Sequence, residues 1–120
     1  MEKHKHWLGI DFGTCYSCAA RLNGQTPVMI PVRDAPDSGA VQRPTVAYIA
    51  EDGSIKTGYA AEPYQFNDPS RFWAEFKLDI VKDAPLLQDC SATYADLVAA
   101  ILADIREDAR LDNNNYYLDN

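Results

Sequence analysis

The chain has 120 residues, 47% of them hydrophobic and 24% charged, with a formal net charge of -7. That balance fits one soluble globular unit with a modest core and excludes a disordered polymer. The acidity argues against unaided binding to nucleic acid or an anionic membrane, and no apolar run approaches the roughly twenty residues of a transmembrane helix.

From the N-terminus, Met1-Glu2-Lys3-His4-Lys5-His6 leads into an apolar stretch of only about six residues, too short for the core of a signal peptide. The expected compartment is therefore the cytoplasm. Trp7–Phe12 reads as a strand with Leu8, Ile10 and Phe12 on one face. Gly13 and Thr14 break it, and Tyr16–Leu22 reads as a second strand. Asn23-Gly24 is a two-residue hairpin signal, after which Val28–Val32 reads as a third strand, completing an antiparallel meander.

Arg33–Arg43, rich in Asp, Pro, Ser and Gly, reads as a loop. Thr45–Ala50 is β-branched and aromatic and predicts a strand. Glu51-Asp52-Gly53-Ser54 turns the chain into a short strand at Ile55–Thr57. Gly58–Phe66 is expected to be a short helix, ended by Asn67-Asp68-Pro69-Ser70. Arg71–Val81 fits either a strand or a short helix, and Lys82–Asp89 reads as a loop. Tyr94, Leu97, Val98, Ile101, Leu102 and Ile105 recur at helical steps and predict a helix from Tyr94 to about Leu111. Thr93 with Asp96 resembles a capping box. Asp104, Glu107, Asp108 and Arg110 are expected mostly on the side of that helix away from the core. Residues 112–120 lack periodicity and predict a frayed tail.

Chemistry concentrates in Gly9-Ile10-Asp11-Phe12-Gly13-Thr14. A carboxylate at the end of a strand beside a Gly-Thr turn can be a plain hairpin, with the acid satisfying turn amides. It can equally be a phosphate and metal site. Amides of Gly13–Tyr16 can face phosphate oxygens, and a glycine lets backbone approach closely. Thr14 adds a hydroxyl, and Asp11 a hard oxygen for magnesium, reached through its water shell. Neither GxxxxGK[ST] nor GxGxxG occurs, which sets aside the P-loop and Rossmann schemes.

Gly9-Ile10-Asp11-Phe12-Gly13-Thr14-Cys15-Tyr16-Ser17-Cys18-Ala19-Ala20 resembles the opening strand-turn-strand of DnaK-like (heat-shock protein 70) chaperones, whose turn actin and sugar kinases share in a looser form. Arg43-Pro44-Thr45-Val46-Ala47-Tyr48, Gly58-Tyr59-Ala60-Ala61 and Phe76-Lys77-Leu78 are similar to three later segments of that family, in the same order. The resemblance spans about residues 7–111. It implies an α/β fold, part of the first lobe of an actin-like ATPase (ribonuclease H-like) domain, with a mixed sheet and packed helices in a single partial domain over 1–120. It implies ATP and magnesium as cofactors: Asp11 holding magnesium-bound water, Gly13, Thr14, Cys15 and Tyr16 wrapping phosphates, and Lys77 as the catalytic lysine near the γ-phosphate. For the complete family it implies ATP hydrolysis coupled to binding unfolded polypeptide, with J-domain and nucleotide-exchange partners.

Three departures are expected to matter. Cys15 stands where the family has a threonine or serine, the segment between Lys77 and Thr93 is short, and the second phosphate loop and adenosine pocket have no counterpart in these residues. The isolated chain is thus expected to be inactive as an ATPase.

Two other readings bear on the same residues. A non-enzymatic remnant or small interaction module could reuse the lobe. Cys15-Tyr16-Ser17-Cys18 is also a CxxC, but a thioredoxin-like site needs its first cysteine at the start of a substantial helix, and Asn23-Gly24 comes too soon after it. With three cysteines and the two thiols expected on opposite faces of a strand, no Cys15–Cys18 disulfide is expected. His4 and His6 with one CxxC are a poor match to a zinc site.

Overall fold

A computed structural model describes residues 8–112. The strands are β1 (Leu8–Phe12), β2 (Tyr16–Asn23), β3 (Thr26–Met29), β4 (Arg43–Pro44), β5 (Val46–Ile49), β6 (Ile55–Thr57) and β7 (Phe72–Ala74), and the α-helices are α1 (Tyr64–Asn67) and α2 (Tyr94–Leu111). They form an α/β unit with two sheets. One runs β1-β2-β3, with β4 also pairing β2, and the other runs β6-β5-β7. Among the described residues every strand pairing is antiparallel, in place of the mixed sheet expected. The reason is local: β1, β2 and β3 are joined by turns too short for the crossover that a parallel pair requires.

The first hairpin forms as the sequence predicts, but the second turns one residue later. Asn23 pairs with Thr26, so Gly24 and Gln25 make the turn, with Gly24 at φ 66°. A two-residue hairpin turn with a left-handed residue only at its first central position wants glycine there. That register starts β3 at Thr26 instead of Val28. Pro31, which has no N–H, falls where the ladder would continue. Ile30 and Val32 are still buried, and the N–H of each is held by backbone: Ile30 N–H donates to Ala19 C=O at 2.9 Å and Val32 N–H to Ala40 C=O at 2.8 Å.

The expected helix over 58–66 breaks into a 3-10 turn at Gly58–Ala60 and the short α1. Pro63 explains the break. It lacks a donor for a helix interior and is tolerated at a helix start, where the structure puts it. Residues 71–81 contain both alternatives: β7 comes first, and a 3-10 turn follows at Lys77–Asp79.

Helix α2 has the bounds that its periodicity predicts. Asp96 accepts the Thr93 backbone N–H at 2.8 Å, which caps its first turn. Leu97, Ile101, Ile105 and Ala109, at four-residue steps, form a buried stripe. They pack with Ala19, Ile30, Ala47, Ile49 and Phe76 into one core between α2 and the sheets. Leu102 falls off the stripe and is exposed.

Candidate functional site

The turn between β1 and β2 is closed by Gly13 N–H donating to Tyr16 C=O at 3.1 Å. A Cβ on Gly13 would sit 2.3 Å from that same oxygen, so the turn closes only with glycine there. This bond also occupies the Gly13 amide. Gly13 therefore gives the turn its tightness, and the donors left for a phosphate are the amides of Thr14, Cys15 and Tyr16 and the Thr14 hydroxyl. Thr14, Cys15 and Tyr16 are exposed. The turn is fastened from behind: Thr45 N–H donates to Cys15 C=O at 2.9 Å, and the buried Ser17 and Thr45 hydroxyls are 2.7 Å apart.

Asp11 is exposed in β1 and paired in register with Cys18. In an antiparallel pair, register partners share a face, so Asp11 and Cys18 lie opposite the core-facing Ser17 and Ala19. Among the described residues no three His, Cys, Asp or Glu side chains gather to hold a metal ion. A lone carboxylate such as Asp11 fits a hydrated magnesium ion better than a bare one, since magnesium keeps several of its waters.

Lys77 opens the 3-10 turn after β7 and is exposed. Its neighbour Phe76 is buried and stacks on Tyr94, with ring centroids 5.8 Å apart. Between β7 and Phe76, Glu75 takes φ 54°, the one non-glycine left-handed residue among those described. That conformation is uncommon for a side-chain-bearing residue. It lets the chain reverse so that Phe76 enters the core and Lys77 faces water. Val46 pairs with Ala74, and the residue before Val46 holds Cys15. The backbone thus brings the turn and the segment leading to Lys77 to the same end of β5.

The sequence reading missed the centre of the molecule's polar interior. Arg43, read as the end of a loop, is 1% exposed, and its Nη2 lies 2.6 Å from Asp108 Oδ2. Asp108, expected on the outer side of α2, is 4% exposed. Its other oxygen accepts from Arg33 Nη1 at 2.6 Å. Asp104 accepts from the Thr57 hydroxyl and from Arg33 Nη2. Gly58 makes this packing possible: it has φ 62°, and a Cβ there would meet Arg43 Nη1 at 2.6 Å and Cγ at 2.8 Å. A signal was present in the sequence. Asp104 and Asp108 stack four apart, and Asp108 lies three residues beyond the stripe residue Ile105, so both carboxylates border the buried face and require cations from elsewhere.

Among the displaced titrations, the Tyr48 phenol is raised first by its hydrogen bond to Asp68, with Oη 2.8 Å from Oδ2. Tyr59, which donates to Gln42 C=O at 2.8 Å, is raised first by burial and next by Glu62. Cys15, Cys18 and Cys90 are free thiols. Because β2 starts at Tyr16, Cys15 sits in the turn and not on the strand, a different reason for its separation from Cys18 than the alternation of a strand. The CxxC runs directly into β2 and not into a helix, so the thiolate-stabilising helix terminus of a redox site is missing. His4, His6 and Trp7, and the tail from residue 113, lie outside the described residues. Asp112, counted with that tail, ion-pairs with Arg21 at 3.1 Å.

The geometry defines a small α/β unit with a glycine-tightened, exposed strand-turn-strand at one end of its sheets. No protein-family model matches the chain. Curated relatives do. It is 36% identical over 70 residues to a chaperone protein HscA homolog of Azoarcus sp. (strain BH72), covering 57% of this chain and 11% of that protein. It is 29% identical over 110 residues to the chaperone protein DnaK of Methanothermobacter thermautotrophicus, covering 91% and 18%. An HscA homolog of Laribacter hongkongensis matches at 30% over 92 residues, covering 77% and 14%. The chain belongs to the heat-shock protein 70 chaperone family. It spans between 11% and 18% of the length of these relatives. Among the described residues no helix is long and apolar enough to cross a membrane.

Proposed function

We propose that this chain is the N-terminal part of the ATPase domain of a heat-shock protein 70 chaperone, in the first lobe of its actin-like fold, and that it carries half of a phosphate site. The observation that carries the reading is the backbone link from Cys15 through Thr45 and Val46 to Ala74, which sends the turn and the Lys77 segment to one end of β5. In this reading the amides of Thr14, Cys15 and Tyr16 and the Thr14 hydroxyl cradle phosphate oxygens, Gly13 keeps the turn tight, and Lys77 brings its ammonium to the terminal phosphate. Asp11 holds a magnesium-bound water, and the ion, when present, neutralises charge on the phosphates. Phosphoryl transfer depends mainly on positioning and charge stabilisation. A half-site in open water supplies little of either. The isolated chain therefore binds Mg-ATP only at about millimolar affinity or weaker, about -4 kcal/mol, and does not turn it over. Coupling to unfolded polypeptide, to a J-domain partner and to an exchange factor, in the cytoplasm, belongs to the whole protein. A non-enzymatic interaction module is the second reading, favoured by the exposed Tyr16, Leu22 and Met29 on the outer face of β2 and β3.

The test is a titration of the chain with Mg-ATP, monitored by amide chemical shifts and calorimetry. Weak, magnesium-dependent shifts at residues 13–16 and at Lys77 are expected. Shifts elsewhere, or micromolar binding with turnover lost in Lys77→Ala, would overturn the half-site reading.

A further inference from the structure

The buried clasp around Arg43 leaves one donor unanswered. Among the described residues, Arg43 Nε is the one buried side-chain nitrogen or oxygen without a hydrogen-bond partner. An arginine cannot shed its proton to escape the need for an acceptor, and a buried donor without one carries its full desolvation cost. The oxygens of Asp108 are already directed to other donors, Oδ2 to Arg43 Nη2 and Oδ1 to Arg33 Nη1. Arg43 Nη1 is turned to the Thr57 hydroxyl, at 3.5 Å.

The space beside that donor has the size and the lining for one small polar molecule. In a planar guanidinium the Nε–H and one Nη2 N–H point along the same edge. Nη2 faces Asp108, so Nε–H is directed to the Asp108 side. Arg43 and Asp108 together line a cavity of about 10 Å³ between β2 and α2, with Ser17, Ala19, Ile30 and Ile105. Ser17 is the register partner of Arg43, so the two side chains share a face. The Ser17 hydroxyl bonds Thr45, and a hydroxyl with one donor and two acceptor sites has capacity for a further bond. A single water needs about 10–15 Å³ and two to four polar partners. The cavity has room for one and no more. The guanidinium repels a cation there, and the Asp108 carboxylate repels an anion.

We infer that this cavity is a binding site for one internal water, which accepts from Arg43 Nε–H and donates to the Ser17 hydroxyl and the Asp108 carboxylate. The Ser17 and Thr45 hydroxyls fasten the β1–β2 turn from behind. The water thus joins the clasp on α2 to the fastening of that turn. The inference does not depend on the phosphate reading.

Cross-relaxation between water and the isotope-labelled full chain, read by NMR, tests it. The Arg43 Nε–H should give a water peak whose rotating-frame sign is that of a bound water and not of proton exchange. Arg71 is the internal control: its Nε donates to Ile49 C=O at 2.6 Å, and its Nε–H should give no such peak. Water peaks are also expected at the methyls of Ala19 and Ile30, which line the cavity. Arg43→Lys keeps a positive charge beside Asp108 but removes the Nε donor, and those methyl peaks should be lost. No bound-water peak at Arg43 in the parent chain would overturn the inference, and this result decides the matter should Arg43→Lys fail to fold. Methyl peaks that persist in a folded Arg43→Lys would overturn it too, since the water would then be held without Nε.

Discussion

The β1–β2 turn and the Arg43 clasp both lie in segments whose sequence resembles the chaperone family's, yet they are built oppositely. At the turn, Thr14, Cys15 and Tyr16 are exposed and held by backbone bonds. At the clasp, Arg43, Thr45, Thr57 and Asp108 are each no more than 4% exposed and held by side chains. The comparison separates two reasons for a motif. Arg43-Pro44-Thr45 and Gly58-Tyr59-Ala60-Ala61 are explained by packing: Gly58 clears space for Arg43, and Arg43 satisfies Asp108. Packing does not explain Asp11, Thr14 or Lys77, whose side chains face water. Residues that the fold does not need are the candidates for the proposed phosphate site.

Replacing residues on each side should break or sharpen this contrast. The largest effect is expected from Asp108→Ala. Among the described residues it leaves the buried Arg43 ion-paired only with Asp34, at 3.5 Å, and removing one partner of a buried pair costs about 3–5 kcal/mol. Urea unfolding should show a large drop in midpoint. A drop of less than about 1 kcal/mol, the range of an exposed pair, would place the clasp with surface ion pairs.

Two glycines come next. Gly58→Ala forces a methyl into the Arg43 side chain at a left-handed φ, and overpacking alone costs about 1–3 kcal/mol. Gly13→Ala meets the Tyr16 carbonyl, but its turn can open into water, so the loss should be smaller and the local shifts at residues 13–16 larger. Equal destabilisation by the two would show that the turn is as much a part of the core as the clasp.

Asp11→Asn and Lys77→Ala should leave stability within about 0.5 kcal/mol of the parent, as surface changes usually do, while removing the magnesium-dependent shifts seen on Mg-ATP titration. Should either variant unfold the chain readily, its residue belongs to the scaffold.

The smallest effect is a pH dependence. Asp89 sits 2.7 Å from Arg71 and its carboxyl is held below the usual range, first by that hydrogen bond. A depressed folded value means that this stabilisation is present above the unfolded carboxylate pKa, about 3.9, and fades as pH falls through the lower folded one. Asp89→Asn should flatten the acid limb of stability slightly, because Arg71 stays anchored by the carbonyls of Ile49 and Ala50. An unchanged acid limb would mean that solvent screens the pair completely.

Much of this molecule was legible without coordinates. The bounds and cap of α2 follow from apolar residues at helical steps and from Thr93–Asp96. The β1–β2–β3 meander follows from two turns that each hold one glycine, and the exposed Gly-Thr turn from a glycine beside a strand. These are short-range properties, set by backbone geometry and by water's preference for one face of each element. The sequence did not determine where the charges of α2 point, because Asp108 is buried only when Arg43, sixty-five residues away, arrives to neutralise it. It did not settle whether residues 71–81 extend or coil, since β7 and the Phe76-Lys77 segment are parted by one left-handed residue, Glu75, that is favourable only in a finished core. Nor did it place the turn and the Lys77 segment at one end of β5. That requires β5 to pair with β7 while the residue before β5 holds the turn, and pairings between distant segments are fixed by the assembled sheets and not by any one stretch of chain.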